Sequence, residues 1–205
     1  MEYLELSYYF SIFVQLVTLI IQSTGLSIDV EDKHEPLKKA LEWEYYVSII
    51  EFATYIWIGS VLYKASEITP RRYLDWFITT NILLLTTGIL FVYETNKENG
   101  FQKIQTGTEI IAENMDTFIK ILFGNNLMLI AGYLGETKRI SHYAGLFIGL
   151  LFFVFQFYIM YDEFAKKSSF GINFFTTFVI IWLLYALAYT MNVETKNVMY
   201  NLLDL

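Results

Sequence analysis

The sequence predicts an all-α membrane protein, a bundle of seven transmembrane helices with the seventh cut short at Leu205. Three observations carry this expectation. Hydrophobic residues make up 55% of the 205 positions and charged residues only 17%, which is too apolar for an ordinary soluble domain. The apolar residues come in blocks, near 6–28, 38–64, 70–94, 115–136, 140–162, 171–192 and from about 195 onward. Six of these are long enough for the ~20 residues that cross ~30 Å of hydrocarbon. The connections between them are short and polar, so one domain over 1–205 is expected, with no repeat, low-complexity tract or soluble appendage.

The first block carries Ser11 and Gln15 at i, i+4. They could line the outer half of a polar path, or act as hydrogen-bond partners between helices. Acid and no base precedes this block (Met1-Glu2-Tyr3-Leu4-Glu5), so a cleaved secretory signal is not expected. The loop at 29–37 is charged and solvated. Lys33, Lys38 and Lys39 follow the first block, so the rule that basic loops stay inside puts the amino terminus outside. Over all fourteen Lys and Arg the bias is slight, eight inside and six outside.

The second block places Glu44, Ser48, Glu51 and Tyr55 on one helical stripe, with ~10 Å of rise between the two glutamates. Glu51 falls near mid-span, where a carboxylate costs at least ~2.5–3.5 kcal/mol and so calls for water, a partner or a proton. Glu42 points elsewhere and reads as solvated.

The third block begins after Pro70, read here as a helix-start proline. Arg72, Asp75, Thr79 and Thr86 share one stripe of it, a cation, a carboxylate and two hydroxyls on an otherwise apolar helix. A structural Arg–Asp pair near a helix end would account for the first two. Beyond it, 95–114 is the longest connection.

The stretch Arg72-Tyr73-Leu74-Asp75-Trp76-Phe77-Ile78-Thr79-Thr80-Asn81-Ile82-Leu83-Leu84 resembles the third helix of microbial rhodopsins, with matches at Arg72, Tyr73, Asp75, Trp76, Thr79, Leu83 and Leu84. It departs at Asn81, where the family has proline, and at Thr86, where proton pumps carry a carboxylate. The fourth block's Asn125-Asn126-Leu127-Met128 to Gly132 resembles the family's gate residue followed by chromophore contacts, which implies Asn125 at the gate and Met128 and Gly132 against the chromophore. Trp182, Tyr185 and Tyr189 on the sixth block form an aromatic stripe that would ordinarily be core. The resemblance places them, with Trp76, around retinal; Ala186 stands where the family has proline.

The last block puts Asn197, Asn201 and Asp204 on one stripe and resembles the start of the seventh rhodopsin helix. The family continues four residues past the aspartate with the lysine that forms the retinal Schiff base. That lysine is therefore expected beyond Leu205, and Lys196, two turns away, is no substitute. The glutamates on the second helix and Thr86 on the third make the chain most similar to the channel-type viral rhodopsins of giant viruses.

The resemblance implies all-trans retinal as cofactor, Asp75 and Asp204 as paired counterion with Arg72 offsetting their charge, and Thr79 hydrogen-bonding the Asp75 carboxylate. The expected activity is a light-gated cation channel with Ser11, Gln15, Glu44, Ser48, Glu51, Asn197 and Asn201 along its path. An outward light-driven proton pump, a photosensor and a transporter without chromophore are the alternatives. No enzymatic activity is expected. The partners are the lipid bilayer, monovalent cations or protons and, as an open option, further copies of the chain. The net charge of −7 with no basic run opposes nucleic-acid binding. The absence of cysteine rules out disulfides and thiolate metal sites, and His34 and His142 lie at helix ends, away from any metal-ligand cluster.

Overall fold

In the computed structural model, which describes residues 2–205, the chain forms eight α-helices. They are α1 (Glu2–Leu26), α2 (Glu35–Gly59), α3 (Ala65–Glu98), α4 (Gly107–Glu113), α5 (Met115–Glu136), α6 (His142–Glu163), α7 (Ser169–Tyr189) and α8 (Val193–Leu203). Seven are bundle helices, and α4 is a two-turn segment in the connection between α3 and α5. Neighbours in sequence pack side by side, α3 also packs on α5 and α8, and α1 against α8 closes the ring.

Six of the eight helices start where the sequence provides for it. Glu2 and Glu5 sit in the first turn of α1, where the helix dipole favours acid. Pro36 occupies the opening of α2. Thr106 and Glu109 form a reciprocal capping box on α4. Ser141, Ser168 and Asn192 cap α6, α7 and α8 by accepting from the backbone N–H of Ala144, Gly171 and Thr195. The Glu98 carboxylate, at the end of α3, accepts from the Ser169 and Phe170 amides at 3.0 and 3.3 Å and ties α3 to the start of α7.

One sequence expectation about the helices needs correction. Pro70 does not begin α3: the helix starts five residues earlier, at Ala65. The extra turn is held from outside, because Asn197 Nδ2 donates to Ala65 O (3.2 Å) and Thr69 Oγ1 donates to Asn197 Oδ1 (3.3 Å), with Ile68 fully buried. Those contacts outweigh the one intrahelical hydrogen bond that proline removes. The six long blocks all form long helices, the shortest of 21 residues, and among the described residues five of these are also apolar enough to cross a membrane: α1, α3, α5, α6 with its short extension, and α7. The 25-residue α2 has the length, but its acidic and basic side chains lower its hydropathy.

The interior has two characters. Between α3, α5, α6 and α7, Leu84, Phe91, Phe118, Phe153, Phe157, Phe164 and Phe178 build an aromatic core. Between α1, α2 and the start of α3, Leu4, Tyr8, Tyr55, Ile58 and Ile68 form a second. The α5–α6 seam is closest: a side chain at Gly145 would strike the Ala131 carbonyl and the Gly135 backbone. Small residues permit this approach in membranes, where close packing substitutes for hydrophobic drive.

Lys196 of α8 pairs with Glu136 of α5; Lys196 is buried and Glu136 nearly so, at 4% and 10% side-chain exposure. Removing one partner of a buried pair strands the other charge. Lys196→Met should therefore lower stability by roughly 3–5 kcal/mol, read as a fall in the thermal midpoint in detergent. Adding Glu136→Leu should recover most of the loss. A single variant as stable as the parent would show that the pair is not needed to hold α8.

Candidate functional site

Five helices converge on one buried cation. Arg72, on α3, is 1% exposed and forms an ion pair with Asp204, at the end of α8. The same guanidinium donates to Tyr55 Oη of α2 at 2.8 Å and to Asn201 Oδ1. Asp204 also accepts from Tyr55 (2.9 Å) and from Tyr185 of α7 (2.9 Å). Asn201 in turn donates to Ser7 of α1 at 2.8 Å, and Ser11 donates to the Asn201 carbonyl at 2.5 Å. Asp204 is thus fully satisfied as an anion.

Asp75 is different. It is 4% exposed, within electrostatic reach of both Asp204 and Arg72, and its Oδ1 has no hydrogen-bond partner. Thr79 does not supply one. Contrary to the sequence expectation, its hydroxyl donates to the Asp75 backbone carbonyl at 3.1 Å. A threonine one turn along can always reach the i−4 carbonyl, and here it takes that option. With both carboxylates ionised, two negative charges face one positive charge. A cation at Asp75 would complete the balance, since unpaired buried charge is costly.

A cavity of about 370 Å³ opens beside this cluster, within the ~300–1,000 Å³ usual for small-molecule sites. Its lining includes every residue expected around retinal: Trp76, Met128, Gly132, Trp182, Tyr185 and Tyr189. Trp76 meets Tyr185 and Tyr200 edge-to-face at 5.6 and 5.0 Å between ring centres, which fixes its plane. Gly132 leaves the space that the Tyr73 hydroxyl occupies.

On the far side the same cavity is lined by Gln15, Thr18 and Gln22 of α1 and by Glu44, Ser48 and Glu51 of α2. Four of the seven expected pathway residues, Gln15, Glu44, Ser48 and Glu51, therefore share one space. Ser11, Asn197 and Asn201 do not line it. They are engaged in hydrogen bonds that join α8 to α1 and α3. Lys196 is likewise away from the cavity, paired with Glu136 beneath the Tyr189 ring.

Sequence reasoning missed three relations. Tyr55 is the shared partner of Arg72 and Asp204; its place on the Glu44–Glu51 stripe was the available signal. Glu44 contacts the Thr86 hydroxyl across α2 and α3. Asn81, a departure from the proline pattern, joins an amide cluster: Asn125 donates to Asn81 Oδ1 (2.9 Å) and to Thr80 Oγ1 (2.8 Å), and Asn81 donates to Asn126 Oδ1 (3.1 Å).

A family model described as "Bacteriorhodopsin-like protein" matches residues 5–205. The green-light absorbing proteorhodopsin of Gamma-proteobacterium EBAC31A08 is 24% identical over 168 residues, which cover 80% of this chain and 61% of that protein. The chain therefore spans less than two thirds of the length of the curated relatives it matches. Among solved structures, viral rhodopsin OLPVRII superposes with a TM-score of 0.83 at 28% identity, over 98% of this chain and 90% of that one. The blue light-absorbing proteorhodopsin from Med12 (TM-score 0.75, 20% identity, 99% and 89% covered) shares the fold. So does the Exiguobacterium sibiricum rhodopsin (0.69, 16%, 98% and 90%).

Tyr55→Phe keeps the ring and removes the hydroxyl that serves Arg72 and Asp204. The expected cost is about 1–3 kcal/mol, that of leaving a buried charged group short of a partner, read by thermal unfolding in detergent. Tyr9→Phe, at an exposed ring on α1, should be neutral. Equal midpoints for both variants would exclude Tyr55 as a structural ligand of the ion pair.

Proposed function

The chain belongs to the bacteriorhodopsin-like protein family, and on that premise we propose that it is a retinal-binding, light-driven outward proton transporter. The observation that carries the reading is the inequality of the two aspartates. Asp204 has donors on every side, whereas Asp75, next in sequence to the cavity-lining Trp76, has an unpartnered oxygen and an unbalanced charge.

The residues fit retinal. The aromatic wall of Trp76, Trp182 and Tyr185, with Met128 and Gly132, would hold the polyene, and Asp75 and Asp204 would stand as paired counterion. The attachment lysine is expected four residues after Asp204. When bound, retinal supplies visible-light absorption and a protonated nitrogen whose proton becomes mobile on isomerisation. Absorption of green and blue light in the relatives' names fits this. Asp75 accepts a proton because no donor competes for its Oδ1. Arg72 and the two tyrosines supply Asp204 with donors, which leaves Asp75 as the carboxylate with a free acceptor. With the amino terminus outside, Asp75 lies toward the outer end of α3, and a proton reaching it has moved outward. The whole of 1–205 then acts as one membrane domain embedded in lipid.

The cation-channel reading has its own support, the polar lining of Gln15, Ser48 and Glu51 on the cavity's α1–α2 side. Against it, Ser11, Asn197 and Asn201 are committed to bonds between helices.

Photocurrents separate the two. A pump should give outward current that keeps its sign across voltages on both sides of the cation reversal potential. Current that reverses with the gradient, and that falls or changes selectivity in Glu51→Gln, would establish the channel instead. Asp75→Asn should abolish outward transport and move the absorption band of the retinal-loaded protein to longer wavelength or into the near ultraviolet. An unchanged spectrum would remove Asp75 as counterion.

A further inference from the structure

Where α3 and α6 end and α5 begins, a second cavity of about 200 Å³ lies apart from the site described above. We propose that it binds the headgroup of a phospholipid in which a phosphate is joined to a primary ammonium, as in phosphatidylethanolamine. The inference is independent of the proton-transport reading.

The first argument is charge. Two side chains of opposite sign reach this cavity from different elements, Lys167 from the 3-10 turn Ala165–Lys167 and Glu113 from the end of α4. They do not pair with each other. Glu113 accepts from Lys103 at 2.5 Å and from Gln105 at 2.9 Å. Lys167 has no carboxylate partner among the described residues, and its ammonium lies 6.0 Å over the Phe164 ring. An ammonium has three protons to donate. Lipid phosphate is the anion found at the level where membrane-spanning helices end.

The second is the set of acceptors that remains. Asn114 stands at the N-cap of α5 without capping it. Its Nδ2 donates back to Ile110 O at 2.8 Å, which leaves Oδ1 for the cavity that Asn114 lines. Thr95 gives its proton to Phe91 O at 2.9 Å, so toward the cavity its hydroxyl can only accept. Gln105 is buried and held at both ends, Nε2 donating to Glu113 and Oε1 accepting from Asn96 at 3.3 Å. The Glu113 carboxylate, Asn114 Oδ1 and Thr95 Oγ1 therefore accept and do not donate. A primary ammonium matches that set. A trimethylammonium does not, because it has no N–H.

The third is position. The helices α3, α5 and α6 are each long and apolar enough to cross a membrane, and the cavity sits at the end they share. Close by in the chain, Met115 and Ile119 of α5 and Tyr161 of α6 are exposed apolar side chains. They offer acyl chains a surface, with a tyrosine at the height where such rings anchor to headgroups. A soluble phosphate ester gains nothing from them.

The test uses the full-length protein, stripped of lipid in detergent, with bound lipid read by native mass spectrometry. The probes are phosphatidylethanolamine, phosphatidylcholine and phosphatidylglycerol with identical acyl chains, and free phosphoethanolamine. The parent should hold phosphatidylethanolamine ~10-fold more tightly than the other two lipids, the effect of one charge-assisted contact. Lys167→Gln should weaken that binding ~10-fold for the same reason. Glu113→Gln should bring the ethanolamine and choline lipids closer together, since it removes the anion that tells them apart. Lys138→Gln, beyond the other end of α5, removes a charge of the same sign and should change nothing. Equal retention of ethanolamine and choline lipids by the parent, or undiminished retention in Lys167→Gln, would overturn the site. Phosphatidylglycerol held as tightly as phosphatidylethanolamine would overturn the match to an ammonium. Free phosphoethanolamine that displaces the lipid at equal concentration would overturn a lipid as the occupant.

Discussion

Much of this bundle answers to one constraint: the Arg72 guanidinium is buried and its two terminal nitrogens must find partners. A lone cation in a low-dielectric interior is expensive, and its partners must come from whatever packs around it. Here they come from α2 (Tyr55) and α8 (Asp204, Asn201), and their own partners come from α7 (Tyr185) and α1 (Ser7, Ser11). The network thereby fixes which helices are neighbours and at what height α8 enters. Hydrophobic matching could not do so, because lipid is as apolar as leucine and gives helices no reason to choose among faces.

That constraint divides the interior. On the α5–α6–α7 side the packing is aromatic and dry, and it shapes a wall of flat rings. On the α1–α2–α3 side the residues are carboxylates, amides and hydroxyls, several of them short of partners. A chromophore bearing one charged end fits a cavity with these two walls. On the proton-transport reading proposed above, this asymmetry would keep acid and base chemistry to one face of the chromophore.

Much of this could be read from the chain. Block lengths gave the bundle, and the helical repeat put Arg72 with Asp75 and Glu44 with Glu51 on common stripes. The six aromatic, methionine and glycine positions expected around retinal all line the cavity. What could not be read were partners across helices. Thr79 lies one turn from the Asp75 carboxylate and also one turn from its carbonyl, and spacing does not decide between them. Pro70 is a good helix opener by its own chemistry, and only Asn197, over a hundred residues away, extends the helix past it. Tyr55 was visible on a polar stripe, but its role depends on the height of α8. Thr86 read only as a departure from the carboxylate of proton pumps, and its contact with Glu44 on the neighbouring helix could not be read from either block.

The Gly135–Gly145 seam bears on how the bundle deforms. There the α5 and α6 backbones approach closely, with the Tyr189 hydroxyl of α7 filling the space that two side chains would take. By contrast α7 has 6% of its membrane window buried, and it holds to the bundle through side chains along its length: Phe174, Phe178 and Trp182 on the aromatic core, Tyr185 on Asp204, the Glu98 clasp at its start and His142 stacked on Tyr189 at its end. A cavity walled this way meets close-packed backbone on its α5–α6 side and side chains on its α7 side, and side chains are what rotate first.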